Sequence, residues 1–501
     1  MSKKLASMFS TVLILTIIMQ LLSVLRTSEL ASHFGTTSQM DAMNLANLMM
    51  VCIINIGGAS ISVVIIPFLA SMKTVREGKK VLNTYVITIL GISYVLLILS
   101  FVAGFVLVEI FSLKEMNSFY YMLYLMMFIM GVGQFFRMIS WIQTAYLQMD
   151  SRFVTIKLGG LIAALASYIY ILLKQNLTIY EAAIAIMISF FIECVFLFLA
   201  NRNHDYKLDF NYDFKSKEYR QLMKLTVPVM LNAMVYQFII LIPNFAGGYF
   251  GEGYISMMTY ANQIANIFQT LIVLNVLAML YPTLSRAFTK SVNEGIQKLG
   301  KFINLSNMIV IPVVIGAIIL GPNIIKLLFQ RGSFTAESTL LVWYFVIFLV
   351  LSLPFIVIRE LIFKTFYSLG DTKTPVTNSI IGMVFQIVFL LVGIFKLGIV
   401  TLVISPLIIS SLSTVLAWIS LKRKIDLQEM NKPIFKQHCI YIMNSFVMGC
   451  VVYFCLGWMS FGVLLDTVLC IFIGIVCYGL LTLVTHQVYI KQMKNILRIR
   501  R

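Results

Sequence analysis

The sequence predicts an all-α polytopic membrane protein. About 14 transmembrane helices form two six-helix lobes related by an internal repeat, and a further helix pair follows at the C-terminal end. Three observations carry this. Hydrophobic residues make up 60% of the chain and charged residues 12%, where an average soluble domain has about 25% charged; no water-soluble core buries that much apolar surface. Apolar runs of about 20 residues, the length that crosses the hydrocarbon layer, recur along the whole chain. Basic residues are dense in every second loop, as they are when one set of loops is retained in the cytoplasm during insertion.

The spans, in order, are 5–25, 42–71, 82–111, 118–149, 153–173, 178–201, 222–248, 254–286, 299–321, 337–369, 374–395, 398–421, 435–458 and 461–488. The first is read as a spanning helix because no small-x-small cleavage site follows it. The segments after Asp41, after Asn117 and before Arg286 are long enough to tilt or to extend past the bilayer. With a cytoplasmic N-terminus, the cytoplasmic loops and termini hold 30 of the 38 Lys and Arg residues. The opposite side has Arg26, Lys114, Lys174, Lys326, Arg331 and Lys396, while Arg137 and Arg359 fall inside spans. Both termini are therefore expected in the cytoplasm. The net charge of +18 is mostly topology, with attraction to anionic lipid, and is no nucleic-acid signal.

A repeat fixes the architecture. Met43, Ala46, Asn47, Pro67 and Leu69 recur at one constant offset as Met258, Ala261, Asn262, Pro282 and Leu284. Phe34-Gly35 recurs as Phe250-Gly251 with one residue gained or lost. A second echo pairs Tyr146…Asp150-Ser151-Arg152 with Tyr367…Asp371-Thr372-Lys373, each closing a cytoplasmic turn. Asp, Ser and Thr there also suit an ordinary helix N-cap. The repeated unit is half the protein. This places an N-lobe at 1–200, a polar cytoplasmic linker at 201–221, a C-lobe at 222–424, and an unrepeated helix pair with a basic cytoplasmic tail at 425–501.

Charges at membrane depth cost at least about 2.5–3.5 kcal/mol on insertion scales, so they face a cavity or a partner. Arg26 and Asp41 flank the first outer loop; the arginine either snorkels to the interface or reaches a central cavity. Arg137 and Arg359 lie at similar depths in spans four and ten. They bracket an anionic group or, with Glu360 neutralising a neighbour, hold helices together. Glu193 reads as a local partner. Asn47, Asn262, Gln263 and Asn266 form a second polar set, the last three able to share one helical face; helix-to-helix hydrogen bonding is the bland alternative. Gly57-Gly58, Pro67 and Pro282 suggest bends. The seven cysteines lie in or near apolar segments with no CxxC, as small buried hydrophobes, and the four histidines are scattered, so no metal site is expected.

No HExxH, GxSxG or Walker A loop occurs, and no paired carboxylates are placed for acid–base work. The chain is not expected to be an enzyme and needs no cofactor. Without an ATP site, transport would run on a coupling ion, the membrane potential or the substrate's own gradient. Two repeated membrane lobes with polar groups near the midplane suit alternating access.

The residues also carry a resemblance. Leu25-Arg26, Phe34-Gly35, Asp41-Ala42, Tyr260-Ala261-Asn262 and Tyr281-Pro282-Thr283-Leu284-Ser285 are its first points. Leu328-Phe329-Gln330-Arg331-Gly332-Ser333-Phe334-Thr335 and Phe366-Tyr367-Ser368…Asp371-Thr372-Lys373-Thr374-Pro375 are the most specific. Together the chain resembles the MurJ/MviN lipid II flippases of the multidrug/oligosaccharidyl-lipid/polysaccharide exporter superfamily. The resemblance implies carriage of an undecaprenyl-linked sugar precursor, lipid II for peptidoglycan, across a bacterial plasma membrane. A cationic cavity would hold the diphosphate, and spans thirteen and fourteen would contribute a groove for the lipid tail. Membrane lipids and cell-wall glycan polymerases are the implied partners. By the same resemblance Arg26 and Asp41 match cavity residues of the family. Gln20, Ile53 or Ile54, Gln263 and Asn266 stand where its members carry charges, so Arg137 and Arg359 would substitute, or the head group would be that of another lipid-linked glycan, of capsule or teichuronic type. A MATE-like, ion-coupled small-molecule exporter is the other transporter reading.

Overall fold

The computed structural model describes residues 3–71, 75–110, 117–202, 212–270 and 275–485. Among them every regular element is helical. In order they are α1 (Lys3–Phe34), α2 (Ser38–Ser71), α3 (Val75–Ile110), α4 (Asn117–Met149), α5 (Phe153–Leu173), α6 (Ile179–Ala200), α7 (Lys217–Gly248) and α8 (Tyr254–Phe268). Then come α9 (Asn275–Lys290), α10 (Val292–Phe329), α11 (Ala336–Leu351), α12 (Leu353–Ser368), α13 (Lys373–Leu397), α14 (Val400–Lys424), α15 (Gln428–Trp458) and α16 (Val463–Thr485). Thirteen spans among the described residues are long and apolar enough to cross a membrane. They coincide with thirteen of the fourteen expected. The eighth, 254–286, is carried by α8 and α9, and its middle residues 271–274 lie outside the described ones, as do 203–211 of the linker and the basic tail from 486.

Local chemistry sets the helix ends. Thr178 and Glu181 make a reciprocal capping box at the start of α6: the Glu181 N–H donates to the threonine hydroxyl, and the Thr178 N–H donates to the carboxylate at 2.9 Å. Asp213 accepts the N–H groups of Lys215 and Ser216, and Ser216 caps α7. The expected single span 337–369 is interrupted at Ser352, between α11 and α12. Pro354 explains it, since proline has no N–H to give and crowds the carbonyl one turn back. The glycine pair Gly57-Gly58, expected to bend, lies inside continuous α2. A Cβ at Gly58 would fall on the Trp141 ring and one at Gly57 on Ser93, so these glycines let α4 and α3 approach closely.

The chain groups into two compact units, Met1–Thr259 with Arg331–Thr335, and Tyr260–Gln330 with Ala336–Arg501. In the first, α2 packs on α3, α4 and α7, α1 on α5, and α6 on α4 and α5. Tyr85, Ile89, Ile142 and Leu222 centre an apolar cluster that ties α3, α4 and α7; the Thr226 hydroxyl of α7 donates to Tyr85 Oη at 3.0 Å. In the second, α10 packs on α9, α11, α12, α15 and α16, and α14 packs on α11, α12 and α13. Leu320, Met448, Val452 and Cys470 seal α15 and α16 to α10. Apolar side chains such as Phe395 and Val484 are 80% and 77% exposed, as on a lipid-facing surface. Cys52, Cys194 and Cys470 are buried and Cys439 is exposed, and all seven cysteines are free.

Each of the two echoed turns fastens to the end of a later helix. The Arg152 guanidinium donates to the Ala200 carbonyl at the end of α6 at 3.0 Å. Asp371 accepts Lys424 Nζ, at the end of α14, at 2.6 Å. The two echoed positions carry pairs of reversed polarity.

Candidate substrate-handling site

In the first unit, Arg26 on α1 donates from Nη1 to the Ser167 hydroxyl of α5 at 3.4 Å. Arg137 on α4 lies over the Phe190 ring of α6, 5.1 Å from its centroid. Glu193 stands one turn after Phe190, its Oε1 3.8 Å from where a Cβ at Gly160 of α5 would fall. Among the described residues neither arginine forms an ion pair, whereas Arg331 and Arg359 each do. These contacts set Arg26 against α5 and Arg137 against α6.

Asp41 is placed differently. It is 2% exposed. Its Oδ2 accepts the Gly253 N–H at 2.6 Å, and its Oδ1 accepts the Ser256 N–H at 2.7 Å and the Ser256 hydroxyl at 2.5 Å. A carboxylate at a helix N-terminus satisfies donors that have no intrahelical partner and meets the positive end of the helix dipole. Glu252 returns the arrangement, accepting the Ser38 N–H at the start of α2 at 2.7 Å. The two repeated stretches therefore cap each other's helices. Asn44 adds a bond to the Ser256 hydroxyl at 3.2 Å. Asn47 is half-buried further along α2.

The segment Arg331–Thr335 docks on the end of α1. Arg331 Nη2 pairs with Glu29 at 2.7 Å and donates to Ser28 at 2.8 Å, and the Ser333 N–H donates to the Ser32 carbonyl at 2.8 Å. Gly332 has φ +56°, and a Cβ there would fall on the Ser32 carbonyl, so both conformation and space require glycine.

In the second unit, Asn262, Gln263 and Asn266 lie on α8, Asn266 exposed and the others half-buried. Arg359 pairs with its neighbour Glu360 at 3.0 Å and stacks over Phe363, 5.8 Å from the centroid. Its Nε is buried with no hydrogen-bond partner. Further down α12, Lys364 Nζ sits between the rings of Tyr281, at 5.1 Å, and Tyr367, at 5.7 Å. The structure brings Arg359 to Glu360 in the second unit, and Arg26 and Arg137 both lie in the first.

The family model for lipid II flippase MurJ matches residues 30–486. The chain belongs to the lipid II flippase MurJ family. A relative in Rhizobium meliloti (strain 1021), described as probable lipid II flippase MurJ, is 24% identical over 198 residues, 39% of this chain and 37% of that protein. One in Rickettsia prowazekii (strain Madrid E), described the same way, is 23% identical over 238 residues, 46% of each chain. The chain thus spans less than half the length of these curated relatives in the matched region. Among solved structures, lipid II flippase MurJ in an inward closed conformation has TM-score 0.81 at 20% identity, over 96% of this chain and 99% of that one. An inward-facing MATE multidrug resistance transporter reaches 0.63 at 15% identity, over 82% and 96%. These likenesses show the fold.

For a MurJ-family chain, sequence reasoning missed Lys364 with its two tyrosines, the Glu252 cap and the Arg331–Glu29 pair. Signals existed for two of them: Glu252 stands in the repeated Phe-Gly stretch, and Arg331 in the most specific motif. Lys364 reads from sequence only as one more cytoplasmic lysine.

Proposed function

We propose that the chain carries a polyprenyl-diphosphate-linked sugar precursor, lipid II for peptidoglycan synthesis, from the inner to the outer leaflet by alternating access. Membership of the lipid II flippase MurJ family over 30–486 carries this reading. The arginines Arg26 and Arg137, both in the first unit and without an ion pair among the described residues, supply the charge a diphosphate needs, since guanidinium pairs bidentately with phosphate oxygens. Arg359 with Glu360, and the polar set Asn47, Asn262, Gln263 and Asn266, contribute further contacts to the head group. Asp41 supports the site by holding the start of α8. The protein acts as a transporter without bond-making chemistry, driven by a coupling ion or the membrane potential. It resides in the bacterial plasma membrane with both termini cytoplasmic, and cell-wall glycan polymerases take over its product. The repeat supports lobes at 1–200 and 222–424 joined by 201–221, with 425–501 beside the lipid tail.

A second reading, another lipid-linked glycan repeat, draws on Gln20, Gln263 and Asn266, where the family's members carry charges. Complementation separates the two. Cells depleted of their own lipid II flippase are expected to regain growth and outer-leaflet lipid II when they express this chain. No rescue despite normal membrane levels would overturn the lipid II assignment in favour of the other glycan lipid.

A further inference from the structure

Lys364 of α12 is a half-buried cation. Its Nζ lies 5.1 Å from the ring centroid of Tyr281 on α9 and 5.7 Å from that of Tyr367 on α12, and among the described residues it has no ion pair and no hydrogen bond. The carboxylates nearest to it in the sequence are engaged elsewhere: Glu360 pairs with Arg359 at 3.0 Å, and Asp371 with Lys424 at 2.6 Å. Helix α9 carries no carboxylate; its charges are Arg286 and Lys290. Aromatic faces attract an ammonium but do not neutralise it, so Lys364 keeps its whole charge and its N–H donors. An ammonium withdrawn from water without a counter-ion is costly, and the cage is open on one side, since Tyr367 is 38% exposed. The repeat indicates that the fold does not require this cation. At the offset relating Tyr146 to Tyr367, Lys364 answers to Gln143, and at the offset relating Pro67 to Pro282, Tyr281 answers to Ile66. Gln143 and Tyr146 are 8% and 2% exposed. The first half thus holds neutral residues where the second holds an ammonium between two rings.

We propose that Lys364, framed by Tyr281 and Tyr367, is a phosphate subsite of the second unit that receives the diphosphate of the lipid-linked substrate on the cytoplasmic side. This rests on the proposed function. A lysine ammonium is a compact charge with three donors and suits a tetrahedral oxyanion. Lys364 stands one turn before the end of α12 at Ser368, close in sequence to the turn at Asp371 that the proposed orientation puts in the cytoplasm, the side on which the substrate is loaded. The two rings fix the ammonium and take none of its charge, so it meets a phosphate without first breaking an ion pair.

The test uses the full chain in phosphatidylcholine nanodiscs and follows, by mass spectrometry, the labelling of Lys364 with an amine-reactive reagent. The probes are undecaprenyl diphosphate, undecaprenol, which lacks phosphate, and inorganic pyrophosphate, which lacks the lipid. Undecaprenyl diphosphate is expected to slow labelling of Lys364 about tenfold, the weight of one hydrogen bond to a charged group, and undecaprenol to leave it unchanged. Lys364→Gln, which installs the residue of the first half, is expected to bind undecaprenyl diphosphate about tenfold more weakly, and Lys364→Arg to stay near wild type. Labelling that undecaprenyl diphosphate does not slow, or that undecaprenol slows equally, would overturn the subsite; if wild type still moves lipid II in proteoliposomes, the flippase reading stands. Pyrophosphate as effective as undecaprenyl diphosphate would mark a site for a soluble anion and overturn the role in loading the lipid. Slowed labelling in a protein that moves no lipid II would keep the phosphate subsite and sink the flippase reading. Equal losses in Lys364→Gln and Lys364→Arg would mark a packing role and also overturn the proposal.

Discussion

Asp41 shows how far a single residue's chemistry can be read. An acid at membrane depth in the first repeat stretch stands out in the sequence, but its partners are 212 and 215 residues away, and only the repeat hints that they meet. Asp41→Ala leaves the Gly253 and Ser256 N–H groups without acceptors and is expected to destabilise the protein by about 3 kcal/mol, with Asp41→Asn costing roughly half. Thermal unfolding in detergent measures both. An unchanged melting temperature with lost transport would instead make Asp41 a substrate ligand. Ser151, at φ +57°, occupies backbone space that favours glycine; Ser151→Gly is expected to stabilise by about 1 kcal/mol, read in the same assay. The arginines were visible as intramembrane charges. Their neighbour Phe190 was not, because nothing in one sequence aligns α4 against α6.

At the scale of the element, the spans follow from apolar length, and their breaks from proline. Pro354 splits the tenth span, while Gly57-Gly58 does not break α2 because close packing of Trp141 and Ser93 uses the missing side chains. The turn at Asp371 is the clearest pH-sensitive element. Lys424 first, then the Thr374 amide and hydroxyl, hold its carboxyl well below the usual carboxylate range. The unfolded chain, near 3.9, takes up its proton first. The stabilisation is therefore complete above about pH 4 and is lost as the pH falls through the lower folded value. Asp371→Asn is expected to lower the melting temperature at pH 7, and the gap to wild type is expected to narrow below about pH 4. Lys424 is 41% exposed, so the ion pair supplies at most about 1 kcal/mol and the capping of α13 the rest. Gly332→Ala is expected to loosen the docked segment on α1 at a cost of about 1–3 kcal/mol, seen as faster amide exchange at Ser333.

For the whole molecule, composition, apolar run length and basic-loop asymmetry pointed to the membrane class, and the repeat is the ground for expecting a duplicated plan. The charges were legible one by one; their grouping was not, since it depends on which helices pack together. Arg26 rests on Ser167 and Arg137 on Phe190 within one unit, and Arg359 is neutralised by its neighbour within the other. The central claim, that this MurJ-family chain moves lipid II using the arginines of its first unit, is tested most directly in proteoliposomes. Purified protein is reconstituted with fluorescent lipid II, and the fraction reachable by a membrane-impermeant quencher is followed with time. Wild type is expected to make nearly all the label reachable, and Arg26→Ala/Arg137→Ala to leave about half protected despite equal reconstitution. Label that stays half protected with wild type, or flips equally fast in the double variant, would contradict the account.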